Sequence, residues 1–277
     1  MDLTSVKIIK EIQKSFKVSA KKSFGQNFLI DKSVVDDLVG TADITKEDTV
    51  LEIGPGLGVV TRELLAKAGK VVVLEKDRNM IEILRITCLG KNNLEIVEGD
   101  ALKINIENII QGKYKLVSSL PFYITSPIFR KFLEKEKAPK SISLIVQEEV
   151  AEKVTAEAGD MSILAISVQL YGKPEIIRIF NRSSFYPEPG VDAAILKIIP
   201  YEKALFDVDK KKFFRIVKAG FGEKRKKLVN SLSGGLAIAK GPTLSILKSA
   251  DLDENIRAED LSLENWYELY KKLKNMI

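Results

Sequence analysis

The first 200 residues alternate between two patterns of apolar and polar positions. Short apolar runs rich in β-branched residues, such as 71–74, are typical of strands buried in a parallel sheet. The stretches between them carry apolar residues at helical spacing, which predicts an α/β fold with helices on both faces of the sheet. The runs that predict buried parallel strands are 50–53, 71–74, 94–97, 116–117 and 142–146.

The connection between the first two strands has a clear helical pattern. Val60, Thr61, Leu64 and Leu65 recur on one face, and Gly69 follows where a helix C-cap is expected. Similar spacing repeats along the chain and predicts a doubly wound sheet. Further helices are predicted at 81–86, 104–110, 128–133 and 150–154, and two later strands, at 175–180 and 193–199, extend the edge of the sheet.

The periodicity changes around residues 200–208, after which only helical spacing is found. We therefore predict an α/β domain over 1–202, with an N-terminal leader at about 1–30, and a small all-α domain over 203–277. The helices expected in the second domain are 213–219, 227–232, 244–249 and 263–273. Trp266, Leu269, Tyr270 and Leu273 recur at i, i+3, i+4 and i+7, which predicts core positions.

The composition excludes several kinds of chemistry. The 277 residues include no histidine, so a serine or cysteine nucleophile activated by imidazole and a metal held by histidine are excluded. The one cysteine, Cys88, has no partner for an internal disulfide, and its apolar neighbours predict a buried side chain. No apolar run approaches the roughly 18 residues of a membrane helix. We expect a cytoplasmic protein with no metal site and no membrane anchor.

The formal net charge of +6 favours a polyanionic partner, because neutralising phosphates releases counterions. Basic residues cluster at Lys21 and Lys22, within 210–218 and within 224–227. For any single cluster, a solvated helix face explains the pattern equally well. The charge therefore does not identify the partner without a site elsewhere.

A glycine-rich turn directly follows the first predicted strand. Glu52-Ile53-Gly54-Pro55-Gly56-Leu57-Gly58 leads into a helix, a setting in which backbone N–H groups hold nucleotide-like ligands. Gly58 comes one residue earlier than the third glycine of the dinucleotide fingerprint, so the spacing favours another cofactor. A glycine turn alone binds a nucleotide in only a minority of cases.

Two further strand ends favour S-adenosylmethionine. Glu75 ends the second strand, about 20 residues after the turn, where a carboxylate accepts hydrogen bonds from both ribose hydroxyls. Asp100 follows the third strand and can accept from an adenine amine, with apolar neighbours such as Ala101 beside the ring. The carboxyl ends of parallel strands meet at one edge of the sheet, so the three features together predict this cofactor.

The fourth strand ends in residues that can hold an adenine amino group. Pro121 donates no hydrogen bond, and the two amino hydrogens can be accepted by the Ser119 hydroxyl and the Leu120 carbonyl. Phe122 offers a stacking face for a base swung out of RNA, although an isolated Pro-aromatic pair is more often a core feature. Positioning alone can promote transfer of an activated methyl group, which suits a chain without histidine.

These segments resemble the KsgA (RsmA) family of ribosomal RNA adenine dimethyltransferases over nearly the whole chain. Besides the turn and strand ends, the resemblance is carried by 24–29 (FGQNFL), 146–151 (VQEEVA), 185–194 (FYPEPGVDAA) and 221–228 (FGEKRKKL). It implies a Rossmann-like class I S-adenosylmethionine-dependent methyltransferase sheet followed by a small all-α C-terminal domain.

The resemblance also implies roles for particular residues. The family pattern at the fourth strand is Asn-Leu-Pro-Tyr, from which this chain departs at Ser119 and Phe122, and Phe185 matches a second aromatic that would sandwich the target base. The catalytic residues would be Ser119, Leu120, Pro121, Phe122 and Phe185. The cofactor-binding residues would be Gln26, Asn27, Leu29, Gly54, Gly56, Gly58, Glu75, Lys76, Asp100, Ala101 and Ser119.

The implied substrate is 16S ribosomal RNA within a pre-30S small ribosomal subunit. A monomeric enzyme would dimethylate two adjacent adenosines in a hairpin loop near the 3' end of this RNA. Two alternatives remain: an Erm-like methyltransferase of large-subunit RNA, which the helical domain disfavours, and an assembly factor that binds RNA without catalysis. The residues expected to contact RNA are Lys21, Lys22, Lys224, Arg225, Lys226 and Lys227.

Overall fold

The computed structural model describes residues 1–19, 25–134, 138–223 and 225–277. They divide into a first unit, Met1–Ala151 with Lys173–Pro200, and a second unit, Glu152–Gly172 with Tyr201–Ile277. The division after Pro200 lies close to the predicted boundary, but 152–172 was expected in the first domain. These residues pack with the second unit, where the backbone N–H groups of Gly159 and Met161 donate to the Glu259 carbonyl.

The first unit contains a seven-stranded sheet and a separate two-stranded one. In chain order the strands are β1 (Phe28–Leu29), β2 (Thr49–Ile53), β3 (Lys70–Glu75), β4 (Leu94–Glu98), β5 (Lys115–Ser119), β6 (Ile142–Gln147), β7 (Gly172–Phe180), β8 (Phe185–Tyr186) and β9 (Ala193–Pro200). The large sheet has the order β4-β3-β2-β5-β6-β9-β7. Its first five strands are parallel and β9 runs antiparallel to β6, which confirms the predicted α/β sheet and its two later strands.

The four parallel strands β2, β3, β5 and β6 are largely buried because helices cover the sheet, whereas β4 at the edge is half-buried. Val71, Val72 and Val73 in β3 are all fully buried, whereas buried and exposed side chains would alternate in a strand with one face in solvent. Pairing of Ile53 with Leu74 brings the carboxyl ends of β2 and β3 side by side. The sheet therefore presents the ends of neighbouring strands along one edge.

Most of the helices in the structure lie where the apolar spacing predicts them. They are α1 (Val6–Ser15), α2 (Lys32–Thr41), α3 (Val59–Lys67), α4 (Arg78–Thr87), α5 (Thr125–Leu133), α6 (Glu148–Thr155), α7 (Ile163–Gln169), α8 (Lys210–Phe221), α9 (Leu228–Leu236), α10 (Lys240–Ser249) and α11 (Leu263–Leu273). Helices α3 to α6 and α8 to α11 confirm predicted helices. Helices α1, α2 and α7 were not predicted, although α2 buries Val34, Val35 and Leu38 at helical spacing.

Two local expectations near the sheet were wrong. Residues 104–110 form only one 3-10 turn, Ile106–Asn108, because the Asn105 side chain accepts from the Glu107 N–H and closes the turn. Gly69 does not cap α3 in the left-handed region, since the helix ends at Ala68 in an extended conformation. A Cβ at Gly69 would lie 2.1 Å from the Lys46 carbonyl oxygen, so close backbone approach requires the glycine there.

The second unit buries the aromatic side chains that the last helix was predicted to contribute. Trp266, Leu269 and Leu273 have no exposed surface, and the Trp266 ring stacks on Phe221 with centroids 5.5 Å apart. Gly220 passes so close to Trp266 that a Cβ would lie 2.4 Å from the indole. Among the described residues no helix is long and apolar enough to cross a membrane, and no cluster of acidic and cysteine side chains has a metal-binding arrangement.

Candidate active site

A cavity opens in the first unit where β2, β3, β4 and β5 end. Most of the residues predicted for the cofactor and for catalysis line it: Gln26, Asn27, Gly54, Gly56, Glu75, Lys76, Asp100, Ala101, Ser119, Leu120, Pro121, Phe122 and Phe185. Leu29 and Gly58 do not. Lining residues that were not predicted are Gly25, Phe28, Ile53, Leu74, Gly99, Tyr123 and Ile124.

The glycine turn takes the left-handed conformation at each glycine. The φ angles of Gly54, Gly56 and Gly58 are +67°, +55° and +92°, which disfavour residues with a Cβ. Gly54 and Gly56 leave the cavity wall to backbone atoms. Gly58 begins α3, and a Cβ there would lie 2.8 Å from Leu84 Cδ1, so close packing requires the glycine, while its predicted contact with the cofactor stays a prediction.

Two buried hydrogen bonds hold the strand that leads into this turn. The Thr61 hydroxyl in α3 donates to Glu52 Oε2 over 2.6 Å, and the Ile53 N–H donates to Ser118 Oγ in β5 over 2.7 Å. Burial raises the pKa of Glu52 to about 8, against the opposing effect of the Thr61 bond. Glu52 is therefore neutral around pH 7 and fixes the turn from behind, a role that sequence reasoning missed.

Glu75 presents one carboxylate oxygen to the cavity. Its Oε1 accepts from the backbone N–H groups of Lys76 and Asp77, both over 2.8 Å, and the residue is only 8% exposed. Burial raises the pKa of Glu75, and these two bonds oppose the rise. Oε2 accepts from no donor in the described parts of the chain, so Glu75 has an acceptor available for a ligand hydroxyl.

Asp100, which follows β4, uses its two carboxylate oxygens in the same way as Glu75. Its Oδ1 accepts from the Leu102 N–H over 2.8 Å, which closes the turn after the strand. Oδ2 has no partner among the residues described. Ala101 beside it is buried and apolar, as expected of a residue that flanks a planar ring. The ends of β3 and β4 thus each supply one unpaired acceptor to the same cavity.

The N-terminal segment closes one side of the cavity through strand alternation. Phe28 and Leu29 pair with Tyr186 and Phe185 in the β1–β8 sheet. Phe28 lies against Gly56, where a Cβ would be 3.4 Å from its ring. The Leu29 side chain is 2% exposed and packs in the core, so only its backbone is available to the cofactor, and its predicted contact stays a prediction. Leu29 pairs with Phe185 in the two-stranded sheet.

Gln26 is tied to the end of β3. Its side-chain amide donates to Asp77 Oδ2 over 3.3 Å, while Asp77 Oδ1 accepts from the Asn79 N–H and caps α4. Asn27 makes a long bond of 3.4 Å to the Gly25 carbonyl. Asp77 therefore links the N-terminal segment to the strand that carries Glu75.

The residues after β5 form the remaining wall. The Ser119 hydroxyl and the Leu120 carbonyl accept no hydrogen bond from the described residues, and both residues line the cavity. Phe122 meets Phe185 edge to face, with ring centroids 6.2 Å apart at 84°. In this arrangement the two rings contact each other, so the predicted sandwich of a base between them requires the rings to separate. One face of Phe122 remains the candidate stacking surface.

The structure describes three of the six residues that were predicted to contact RNA. Lys21, Lys22 and Lys224 fall outside the described residues. Arg225, Lys226 and Lys227 are exposed in the second unit, where Lys226 pairs with Glu223 and Lys227 donates to Asn255 Oδ1. Sequence reasoning noted, but did not select, the basic face of α8. Its side chains that line a surface groove are Lys211, Arg215 and Lys218.

Comparison with known sequences matches this chain to one family. A model of the ribosomal RNA adenine dimethylase family matches residues 17–275. The ribosomal RNA small subunit methyltransferase A of Dehalococcoides mccartyi is 42% identical over 263 residues, which cover 94% of this chain and 90% of the relative. Its namesake in Clostridioides difficile is 41% identical over 272 residues, covering 95% and 94%.

Two solved structures share the fold over most of the chain. A dimethyladenosine transferase from Plasmodium falciparum aligns with a TM-score of 0.77 and 29% identity, covering 88% of this chain and 96% of its own. The 23S rRNA methyltransferase ErmE aligns with a TM-score of 0.72 and 26% identity, covering 90% and 100%. Both alignments extend beyond the sheet into the helical region.

Proposed function

The chain belongs to the ribosomal RNA adenine dimethylase family, and from that premise we propose that it dimethylates two adjacent adenosines of 16S ribosomal RNA. The target lies in a hairpin loop near the 3' end of that RNA, within a pre-30S small subunit. Relatives named for the small subunit support this choice. In this proposal the enzyme acts as a monomer in the cytoplasm, where these subunits assemble.

S-adenosylmethionine is the methyl donor that the cavity walls support. In this proposal Glu75 Oε2 accepts from the ribose hydroxyls and Asp100 Oδ2 accepts from the adenine amine. Gly54 and Gly56 have no side chain and leave space for the remaining part of the cofactor. Gln26, Asn27, Lys76 and Ala101 complete this part of the wall. When bound, the cofactor supplies a methyl group that its sulfonium charge has activated.

The target adenine is held by the wall after β5. The Ser119 hydroxyl and the Leu120 carbonyl accept from the two amino hydrogens, Pro121 fixes the turn with a φ of −56°, and Phe122 stacks on the ring. Holding the amine in this way turns its lone pair toward the methyl donor without a general base. The observation that carries the proposal is the convergence of both sets of acceptors on one cavity.

Methylation of isolated ribosomal subunits tests the choice of RNA. The protein is incubated with tritiated S-adenosylmethionine and with small or large subunits that lack the modification, and the labelled nucleoside is located by mass spectrometry. We expect N6,N6-dimethyladenosine at two neighbouring positions of 16S RNA. Label confined to large-subunit RNA would favour the Erm-like alternative. The structural likeness to ErmE is the reason for including large subunits in the experiment.

Calorimetry tests the cofactor separately from the reaction. Glu75→Ala should weaken S-adenosylmethionine binding by about 10- to 100-fold, because a buried acceptor to charged or hydroxyl groups contributes roughly 1.5–3 kcal/mol. Glu98→Ala is the matched control, since Glu98 ends the neighbouring strand but pairs with Arg78 at 2.7 Å outside the cavity. Cofactor binding by the wild type without methyl transfer to either subunit would identify a non-catalytic assembly factor.

A further inference from the structure

The pairing of Lys76 with Tyr123 is not explained by the roles assigned so far. Lys76 Nζ donates to the Tyr123 hydroxyl over 2.7 Å and lies 5.4 Å from the centroid of the same ring. The two residues are 47 positions apart, and both line the cavity. Tyr123 is 52% exposed, which is unusual for an aromatic side chain on the wall of a binding site.

The sheet order fixes where this pair lies. Lys76 directly follows β3 and Tyr123 comes shortly after β5, and β2 separates these strands. Strands two positions apart in a sheet are roughly 10 Å apart. A contact between their trailing segments therefore crosses the end of β2, above the glycine turn that forms the floor of the cavity.

Exposure places the pair at the outer end of the cavity. Along the β3 wall, Leu74 is 1% exposed and Glu75 is 8% exposed, whereas Lys76 is exposed. The Tyr123 ring also lies against Gly25, where a Cβ would be 3.3 Å from Cδ1. The ring thus fills the space between the N-terminal segment and the Lys76 ammonium group, at the mouth.

We propose that Lys76 and Tyr123 form a bridge across the mouth that must open whenever the cofactor enters or its product leaves. This inference rests on the proposed function, because dimethylation of two adenosines needs four methyl donors in succession. The bridge slows exchange in both directions, so it holds each S-adenosylmethionine until its methyl group is transferred and then opens to release S-adenosylhomocysteine. Lys76 and Tyr123 are positioning residues in this scheme, and neither touches the reacting atoms.

Binding kinetics of S-adenosylmethionine and S-adenosylhomocysteine, measured by surface plasmon resonance on the immobilised full chain, test the bridge. Tyr123→Phe keeps the ring and removes the hydroxyl, and Lys76→Met keeps the apolar stem and removes the charge. We expect each to raise both the association and the dissociation rate by about 2- to 10-fold. The dissociation constant should stay nearly unchanged in Tyr123→Phe, whereas a change of this constant in Lys76→Met measures the contribution of Lys76 to the cofactor wall. Tyr123→Ala should give a larger rise in both rates.

Matched controls and the other outcomes separate the bridge from its alternatives. Tyr201→Phe and Lys113→Met make the same chemical changes at exposed positions outside the cavity and should alter neither rate. Unchanged rates in Tyr123→Phe and Lys76→Met would overturn the bridge. A rise in dissociation alone in Tyr123→Phe would also overturn it, since a direct contact of the Tyr123 hydroxyl with the cofactor then accounts for the effect. Failure of the wild type to bind either compound would instead refute the proposed cofactor.

Discussion

At the scale of single residues, two neighbouring carboxyl groups at the end of the sheet have raised pKa values because both are buried. Glu52 is fully enclosed behind the glycine turn, and Glu75 faces the cavity one strand away. The charge of Glu75 contributes to the raised pKa of Glu52, and the charge of Asp77 contributes to the raised pKa of Glu75. The difference in their partners separates their roles: Thr61 satisfies Glu52 within the core, whereas Glu75 keeps Oε2 for a ligand.

The neutral state of Glu52 predicts a pH-dependent stability. Between its ordinary pKa of 4.5 and about 8, the unfolded chain has lost the Glu52 proton while the folded chain retains it. The folded state then binds more protons, so stability falls as the pH rises through this range. Glu52→Gln removes the penalty and should stabilise the protein at pH 8, relative to wild type, by roughly 2–4 kcal/mol.

Urea unfolding at several pH values between 5 and 8 measures this effect. Glu47→Gln provides the control, because Glu47 is exposed on the loop before β2. The gap between Glu52→Gln and wild type should widen steadily with pH, while the control stays parallel to wild type. A gap that is constant across this range would contradict a neutral Glu52.

The Phe122 ring is the proposed stacking surface for the target adenine. Stacking of a base on an aromatic ring contributes about 1–3 kcal/mol, so Phe122→Ala should lower the rate of methyl transfer by roughly 5- to 100-fold. Its cofactor affinity should stay close to wild type, since the acceptors for the cofactor lie on β3 and β4. Single-turnover transfer at saturating cofactor, together with calorimetry, separates the two quantities.

Phe122→Tyr is the informative control for that experiment. It keeps the ring and restores the residue of the family pattern, so transfer should remain within about threefold of wild type if stacking dominates. Equal loss of cofactor affinity and transfer in Phe122→Ala would instead assign Phe122 to the cofactor.

At the scale of elements, the start of α3 depends on Gly58 for two separable reasons. Its φ of +92° is strained for any other residue, and a Cβ would lie 2.8 Å from Leu84 Cδ1 and 3.1 Å from Thr87 Oγ1. Gly90 has a φ of +78° with nothing within 4 Å, so it shares the strain without the crowding. Gly90→Ala should cost about 1 kcal/mol of unfolding free energy, and Gly58→Ala about 2–4 kcal/mol.

Thermal and urea unfolding of the two alanine variants check this difference. Equal destabilisation would mean that α4 moves away from the new methyl group at no cost. A greater loss in Gly58→Ala, accompanied by weaker cofactor binding, would show that packing of α3 on α4 holds the glycine turn in place.

The same elements show how far the sequence determined the fold. The strands of the parallel sheet were predictable because burial makes most of their positions apolar, as in the uninterrupted run Val71–Leu74 of β3. The run 104–110 has equally apolar residues, yet Asn105 closes a turn there, a competition that periodicity does not register. Helix α2 has apolar residues at helical spacing, but it was not predicted because the residues before it were interpreted as a leader.

The site was predictable where function requires a residue type at a strand end, and less so elsewhere. Gly54, Glu75 and Asp100 were predicted from the chemistry of S-adenosylmethionine, and all three line the cavity. The orientation of Phe28 and Leu29 depends on pairing with β8, more than 150 residues away, and a shift of one residue exchanges their faces. The contact of Lys76 with Tyr123 likewise exists only in the folded chain.

At the scale of the whole molecule, the net charge of +6 acts on RNA through particular surfaces. Lys211, Arg215 and Lys218 line one groove on α8 and have no hydrogen-bonding or ion-pairing partner among the residues that the structure describes. Within the predicted cluster, Lys226 and Lys227 already have protein partners, Glu223 and Asn255. Cations without partners lose less on binding phosphate, so the α8 face should contribute more per charge.

Three triple-alanine variants with equal charge separate local contacts from net charge. Each lowers the formal net charge from +6 to +3. The first changes the three α8 residues, the second changes Arg225, Lys226 and Lys227, and the third changes Lys7, Lys67 and Lys113, which are exposed on the first unit.

Filter binding to unmodified small subunits between roughly 50 and 200 mM salt gives the slope of log affinity against log salt concentration. Each lost phosphate contact reduces that slope by about 0.7–0.9, so the α8 variant should lose about 2 and the second variant about 1. The third should keep the wild-type slope, because its lysines lie on neither candidate surface. If all three variants have equal slopes below that of wild type, net charge alone accounts for the effect. If the first two variants keep the wild-type slope, neither basic cluster contacts RNA phosphates and both are solvated helix surfaces.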